Sequence, residues 1–251
     1  MPKYVLTGVG GRIGSIAASY ALEIDPPDST LVFTCSNPDK ISKDTRGKCL
    51  RAVFAGAEAV TLISTWAFGR RHQQAQNVID AAKECGVRRI CYTSFVGADD
   101  PAPVDEMPFL PRDHKQTKAL ICASGLEYNI QRNDLYVENI PNFFAPSWIF
   151  CDNRWVSNSG GAPGAYVARE DCGRVLAAIL LGRGEPNKIY DVTGPEAITD
   201  EDVFQWISSN FKSQGNFVTV SDQEMKEYWL ERGLPTDVSG GFLSNPDEAL
   251  Y

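Results

Sequence analysis

The sequence predicts an α/β protein, a doubly wound parallel sheet followed by a small carboxyl-terminal lobe. Three observations carry this. Short apolar runs alternate with amphipathic helical stretches over roughly the first half of the 251 residues. The runs are near-continuously apolar, as strands buried on both faces require. The first of them ends in a glycine-rich turn that opens a helix. We therefore expect a dinucleotide-binding core over residues 1–133 and a substrate lobe over 134–251, with a helix at 170–182 and a strand at 188–192 returning to the core.

Taken in order, KYVLT at 3–7 is the first strand. Ile13, Ile16, Ala17, Tyr20, Ala21 and Ile24 then recur at helical spacing, until Asp25-Pro26-Pro27 stops the helix. LVFTC at 31–35 and VTLIST at 60–65 are the next strands. Ala75, Val78, Ile79 and Ala82 mark a helix face, with Gly86 just past its end. VRRICYTS at 87–94 is a strand, residues 114–124 a helix closed by Gly125, and LEYNIQR at 126–132 a strand. Beyond 134 the pattern loosens into aromatics separated by prolines and glycines. Tyr136, Phe143, Phe144, Trp148, Phe150 and Trp155 either stack a flat substrate or form the lobe's core. Periodicity returns at Cys172, Val175, Leu176, Ile179 and Leu180, then in a strand at 188–192. Thr199-x-x-Asp202 and Ser221-x-x-Glu224 read as helix starts, with a short strand at 217–220 between them. The lobe is expected over the carboxyl ends of the strands, where open α/β sheets bind ligands.

The composition narrows the function. With 24 Lys+Arg against 32 Asp+Glu, the net charge is −8. That argues against nucleic acid or an anionic membrane as partner, either of which needs a concentrated basic surface. No apolar run approaches the ~18 residues of a membrane span, and no signal peptide is visible. Seven cysteines without a C-x-x-C pair read as reduced, buried thiols of a cytoplasmic protein. No metal-ligand spacing is found. The expected partner is a small-molecule substrate, and the expected assembly a monomer or homodimer.

Gly8-x-x-Gly11-x-x-Gly14 separates three tasks: a tight turn, close approach of backbone to a pyrophosphate, and close packing of helix on strand. The helix N-terminus adds unpaired N–H groups and partial positive charge. This is a Rossmann-like dinucleotide site. The second strand ends without the acidic residue that holds an NAD ribose. Cys35-Ser36-Asn37-Pro38-Asp39-Lys40 puts its only acid after the proline. Arg12 and Lys40 are placed to meet a 2′-phosphate, which favours NADP; a merely solvated Lys40 is the alternative.

The segments VLTGVGGRIG, QNVIDAAKECGVRRICYTSFVGAD and DHKQTKALICASGLEYNIQRNDLYVENI resemble, in order and spacing, the NmrA-like family of atypical short-chain dehydrogenase/reductases. That family includes NADPH-dependent quinone oxidoreductases, dye reductases and non-catalytic redox-sensing regulators. The resemblance implies that Gly8, Val9, Gly10, Gly11, Arg12 and Ile13 form the phosphate-binding turn. Ser36, Asn37 and Lys40 would follow on the adenosine side. Ser64, Thr65 and Thr93 would line the ribose and nicotinamide, and Tyr136, Glu138 and Asn139 a loop on the nicotinamide side. Ser36 stands where the family commonly has an arginine clamp. The stretch around 43–48 is shorter than in the family by about twenty residues, enough to lack a third strand, and the carboxyl end is also short.

The resemblance also places His114 toward the substrate. With Lys118 it forms His-x-x-x-Lys, an i, i+4 pair on one helix face, where classical short-chain dehydrogenases have Tyr-x-x-x-Lys. Hydride transfer to a quinone or carbonyl leaves an oxygen that needs a proton, and histidine can supply one near neutral pH. Alternatively His114 is a surface or capping group and Lys118 is solvated. Ser94 would polarise the substrate oxygen, or only satisfy a strand end. His72 stands near a helix start. The implied activity is an NAD(P)H-dependent oxidoreductase reducing a flat conjugated acceptor. An NADP-sensing regulator that binds a protein partner and a non-redox isomerase are the alternatives.

Overall fold

The computed structural model describes residues 1–35, 50–65, 71–107, 109–140, 153–211 and 215–231. Its contacts divide the chain into two compact units, Met1–Asn133 with Arg169–Val192, and Asp134–Ala168 with Thr193–Tyr251.

The first unit holds β1 (Lys3–Leu6), α1 (Arg12–Ile24), β2 (Thr30–Phe33), α2 (Leu50–Phe54), β3 (Ala59–Ile63), α3 (Arg71–Glu84), β4 (Arg89–Phe95), α4 (Phe109–Ala123), β5 (Glu127–Asn133), α5 (Arg169–Leu180) and β7 (Lys188–Val192). A 3-10 turn, Val96–Asp99, follows β4. The second unit holds β6 (Arg154–Ser157), α6 (Asp200–Phe211), β8 (Asn216–Thr219) and α7 (Asp222–Glu231).

Six strands form one parallel sheet in the order β2-β1-β3-β4-β5-β7. The predicted doubly wound, Rossmann-like sheet is therefore present. Alternation along β1 shows how the sequence builds it. Val5 packs on one face with Phe54, Leu62, Ala75, Ile79, Tyr92 and Ile121. Tyr4 and Leu6 pack on the other with Ala17, Ala21, Cys91, Leu176 and Leu180. Each strand side chain thus finds a helix layer, α2–α4 on one face and α1 with α5 on the other. Chain direction across the sheet reverses between β1 and β3, which makes their carboxyl ends the topological switch point. Among the described residues β2 is the sheet edge. The expected shortening around 43–48 lies outside them.

Two features depart from the sequence reading. Helix α4 begins at Phe109, five residues before His114, because Pro111 stands in its first turn, where a proline removes no intrahelical hydrogen bond. Strand β6 lies within the stretch read as irregular. It is four residues long, and only its pairing with β8, Trp155 opposite Phe217, makes it a strand. Alternation that short gives no periodic signal.

In the second unit Trp155, Val203 and Phe204 form a small core, with Trp155 edge-on to Phe204. That places Trp155 in the lobe's core. Phe143, Phe144, Trp148 and Phe150 lie outside the described residues. The predicted cap of α6 is reciprocal: Asp202 N–H donates to Thr199 Oγ1 at 3.1 Å, and Thr199 N–H to Asp202 Oδ2 at 2.9 Å. Ser221 and Glu224 cap α7 in the same way.

The cysteine reading needs correction. Cys91 and Cys172 are buried, but Cys35 and Cys85 are half-buried and Cys122 is exposed. Cys122 is next to buried Ile121 on α4, so the helical turn carries it to the outer face. Cys49 and Cys151 lie outside the described residues. Among the described residues no helix is long and apolar enough to cross a membrane.

Candidate functional site

The turn after β1 is built by backbone alone. Val9 N–H donates to Thr34 carbonyl oxygen at 3.0 Å and Gly11 N–H to Gly8 carbonyl oxygen at 3.0 Å. Gly8 has φ +71°, a left-handed conformation that L side chains rarely adopt. A Cβ on Gly14 would lie 2.1 Å from the Gly8 carbonyl oxygen, so no larger residue fits where α1 meets the strand end. Gly11 is the N-cap of α1 and supplies no side-chain cap. Among the described residues the opening N–H groups of α1 are therefore left for an external acceptor. These features fit a pyrophosphate. Arg12 is exposed at the helix start and Ile13 half-buried. Ser36, Asn37 and Lys40 lie outside the described residues.

The neighbouring strand ends carry hydroxyls. Thr7 N–H donates to Thr61 Oγ1 at 2.8 Å and ties β1 to β3. Ser64 N–H donates to Thr93 Oγ1 at 3.1 Å and ties β3 to β4. Thr65 is exposed and reaches Gln74, while Thr93 and Ser94 are buried. Because the strands are parallel, the glycine turn and these hydroxyls share one edge of the sheet. Ser94 Oγ has no hydrogen-bond partner among the described residues. A buried hydroxyl in that state carries its desolvation cost uncompensated, which singles it out as ready to bind.

His114 is 6% exposed, beneath the same edge. Its Nδ1 is 2.8 Å from the Tyr92 hydroxyl, which is also 3.2 Å from Ser64 Oγ. Burial, and then the Arg71 guanidinium, push the imidazole down to about 3. Arg71 is itself buried, 4.0 Å from Asp113. Burial pushes the Tyr92 phenol up to about 12. Burial and the Arg71 charge therefore favour the neutral imidazole over the imidazolium at physiological pH.

Lys118 is engaged in an ion-pair chain. Its ammonium pairs with Asp99, which in turn pairs with Arg132. Arg132 also bonds Asp191, at 2.6 and 2.8 Å. Lys118 thus pins the 3-10 turn after β4 to α4, and the cation acting on His114 is Arg71 on another helix. Helical spacing put Lys118 and His114 on one face, but an exposed carboxylate within reach captured the flexible ammonium. His72 is exposed. Tyr136, Glu138 and Asn139 belong to the second unit, on a turn where Asn139 N–H donates to the Tyr136 carbonyl oxygen at 2.9 Å. The sequence reading missed Tyr92 and Arg71. Tyr92 lay in a strand read as apolar, and Arg71 beside His72 at a helix start; the available signal for Tyr92 was a polar-tipped side chain in a strand buried along nearly its whole length.

A family model described as NAD(P)H-binding matches residues 8–182. The chain is 26% identical over 243 residues to quinone oxidoreductase 2 of Escherichia coli (strain K12), covering 92% of this chain and 82% of that protein. It is 25% identical over 240 residues to an NmrA-like family domain-containing oxidoreductase of Aspergillus flavus, covering 88% and 76%. Its fold matches the crystal structure of an Escherichia coli NADPH-dependent quinone oxidoreductase complexed with NADPH. There the TM-score is 0.79 and the identity 24%, over 100% of this chain and 91% of that one.

Proposed function

The chain belongs to the NAD(P)H-binding family, and from that premise we propose that it is an NADPH-dependent reductase of a flat conjugated acceptor such as a quinone, an enone or a related carbonyl. The observation that carries the reading is the placement, on one edge of one parallel sheet, of an uncapped glycine turn and a neutral hydrogen-bonding cluster. The turn suits the cofactor's phosphates and the cluster suits an oxygen that gains charge. The similarity to quinone oxidoreductase 2 supports the choice of acceptor.

Bound NADPH supplies the hydride, and the chain supplies position and electrostatics. Gly8, Val9, Gly10 and Gly11 would shape the turn around the pyrophosphate, which the opening N–H groups of α1, Ile13 among them, would hold. The Arg12 guanidinium would meet the 2′-phosphate, a role shared in the sequence reading with Lys40, which lies outside the described residues. Ser64, Thr65 and Thr93 would border the ribose and nicotinamide. Ser94 Oγ donates a hydrogen bond to the acceptor oxygen, as does His114 in its neutral form. The test is oxidation of NADPH, followed by nicotinamide absorbance, across a panel of quinones, enones and azo dyes. Turnover of at least one quinone or enone, with NADPH preferred to NADH, is expected. Tight NADPH binding with no turnover of any acceptor would point instead to a sensor of the cofactor's redox state.

A further inference from the structure

The cluster around His114 brings three hydroxyls, those of Tyr92, Ser64 and Thr117, to one imidazole nitrogen. Tyr92 is 1% exposed and Thr117 3%. Tyr92 Oη lies 2.8 Å from His114 Nδ1 and 3.2 Å from Ser64 Oγ, and the phenol also engages the Thr117 hydroxyl. A neutral imidazole has one donor nitrogen and one acceptor nitrogen. If Nδ1 carried the hydrogen, it would donate to the phenolic oxygen, and Nε2 would be left as an acceptor. Nε2 has no partner among the described residues. If Nδ1 is the acceptor, the phenol gives it its proton, and the Ser64 and Thr117 hydroxyls donate to the two lone pairs of the phenolic oxygen. Every hydroxyl proton in the cluster is then used, and Nε2–H is the donor that remains.

We propose that Tyr92 is a positioning residue of the reductase site: its hydroxyl donates to Nδ1 and locks His114 as the neutral Nε2–H tautomer, which presents a hydrogen-bond donor to the acceptor oxygen. The role rests on the reductase reading above. Hydride addition moves an electron pair onto the acceptor oxygen. The Nε2–H group stabilises the charge that builds there, and water supplies the proton that completes the hydroxyl, since the imidazole keeps its own. The surrounding groups agree. Arg71 on α3 and Asp113 on α4 are the charges closest to the cluster, and Arg71 opposes a second positive charge on the ring. With the phenol well above neutrality and the imidazole well below it, neither changes protonation as the pH varies about 7.

The tautomer can be read without any assay of activity. The chain has two histidines, so ring-nitrogen NMR of the full chain labelled with ¹⁵N-histidine gives two pairs of signals, which His72→Gln assigns. For His114 we expect a protonated Nε2 and an unprotonated, hydrogen-bonded Nδ1, unchanged from about pH 5 to 8. A protonated Nδ1, or an imidazolium near pH 6, overturns the proposal. Tyr92→Phe should move the Nδ1 signal to that of an unbonded nitrogen. It should also lower kcat about tenfold while KM for NADPH changes less than about twofold. Tyr92→Phe combined with His114→Ala should be no slower than His114→Ala alone, because Tyr92 acts through the ring. Parental kcat in Tyr92→Phe, or additive losses in the double variant, overturns the role. Should Tyr92→Phe fail to fold, the parental tautomer decides. A parent that reduces no acceptor removes the reductase reading, while the tautomer is still measured independently.

Discussion

Gly14 sits against Gly8 so closely that a Cβ would come within 2.1 Å of the Gly8 carbonyl oxygen, whereas at Gly11 the same atom would be 3.4 Å from that oxygen. The two glycines therefore have separable roles. Gly14 serves the junction of strand and helix, and Gly11 serves whatever binds above the helix start. Gly11→Asp should fold, and should hold or raise stability by about 1 kcal/mol, because aspartate is a good N-cap beside the positive helix end. It should also weaken NADPH binding at least a hundredfold, by placing a carboxylate where the pyrophosphate belongs. Calorimetry of folding and of NADPH binding checks both. Undiminished binding in a folded Gly11→Asp would remove the turn as the phosphate site.

Cofactor preference should lie with Arg12. It is exposed at the start of α1, so its loss leaves packing intact. Arg12→Ala should cost about 1–2 kcal/mol of NADPH affinity, roughly tenfold, and leave NADH affinity unchanged. Titration of both cofactors by fluorescence measures the ratio. An unchanged ratio transfers the preference to Lys40 or to another group.

The buried imidazole makes folding stability depend on pH. The unfolded chain takes up a proton on His114 at about 6.5, whereas the folded chain does so only at about 3. Between these values the unfolded state binds more protons, so stability falls as pH falls, by up to about 1.4 kcal/mol per unit. Above the unfolded value the contribution is complete and flat. From pH 7 to 5 the parent should lose roughly 2 kcal/mol more than His114→Gln, which keeps an acceptor for Tyr92. Urea unfolding at the two pH values gives the difference. Equal losses would mean that the ring accepts a proton in the folded protein.

Ser94 should separate stability from activity. Its buried hydroxyl lacks a partner among the described residues, so Ser94→Ala removes an uncompensated polar group. Stability should be unchanged or higher by up to about 1 kcal/mol, while kcat/KM for the acceptor falls about tenfold, the value of one hydrogen bond to a charged oxygen. Destabilisation with unchanged kcat/KM would make the hydroxyl a packing group.

Much of this site was legible in one dimension because its physics is local. Gly8, Gly11 and Gly14 lie within seven residues, and a turn that needs a left-handed residue and an absent Cβ advertises both in its glycines. The alternation of apolar runs with helical periodicity specified the parallel sheet, since a strand covered on both faces has to be apolar throughout. Spacing also placed His114 and Lys118 together on α4. What it could not give was which partner each would find. Asp99 took the Lys118 ammonium from nineteen residues away in the chain, and Arg71 brought its charge to the imidazole from a different helix. Tyr92 met Nδ1 because β4 and α4 pack face to face. A side chain's protonation state follows from burial and from charges distant in sequence, and a strand such as β6 follows from a partner sixty residues on. The sequence by itself determined the fold class and the glycine turn that opens α1. The tertiary structure decided that His114 is neutral, because only packing sets how far the ring is removed from water and which charge faces it.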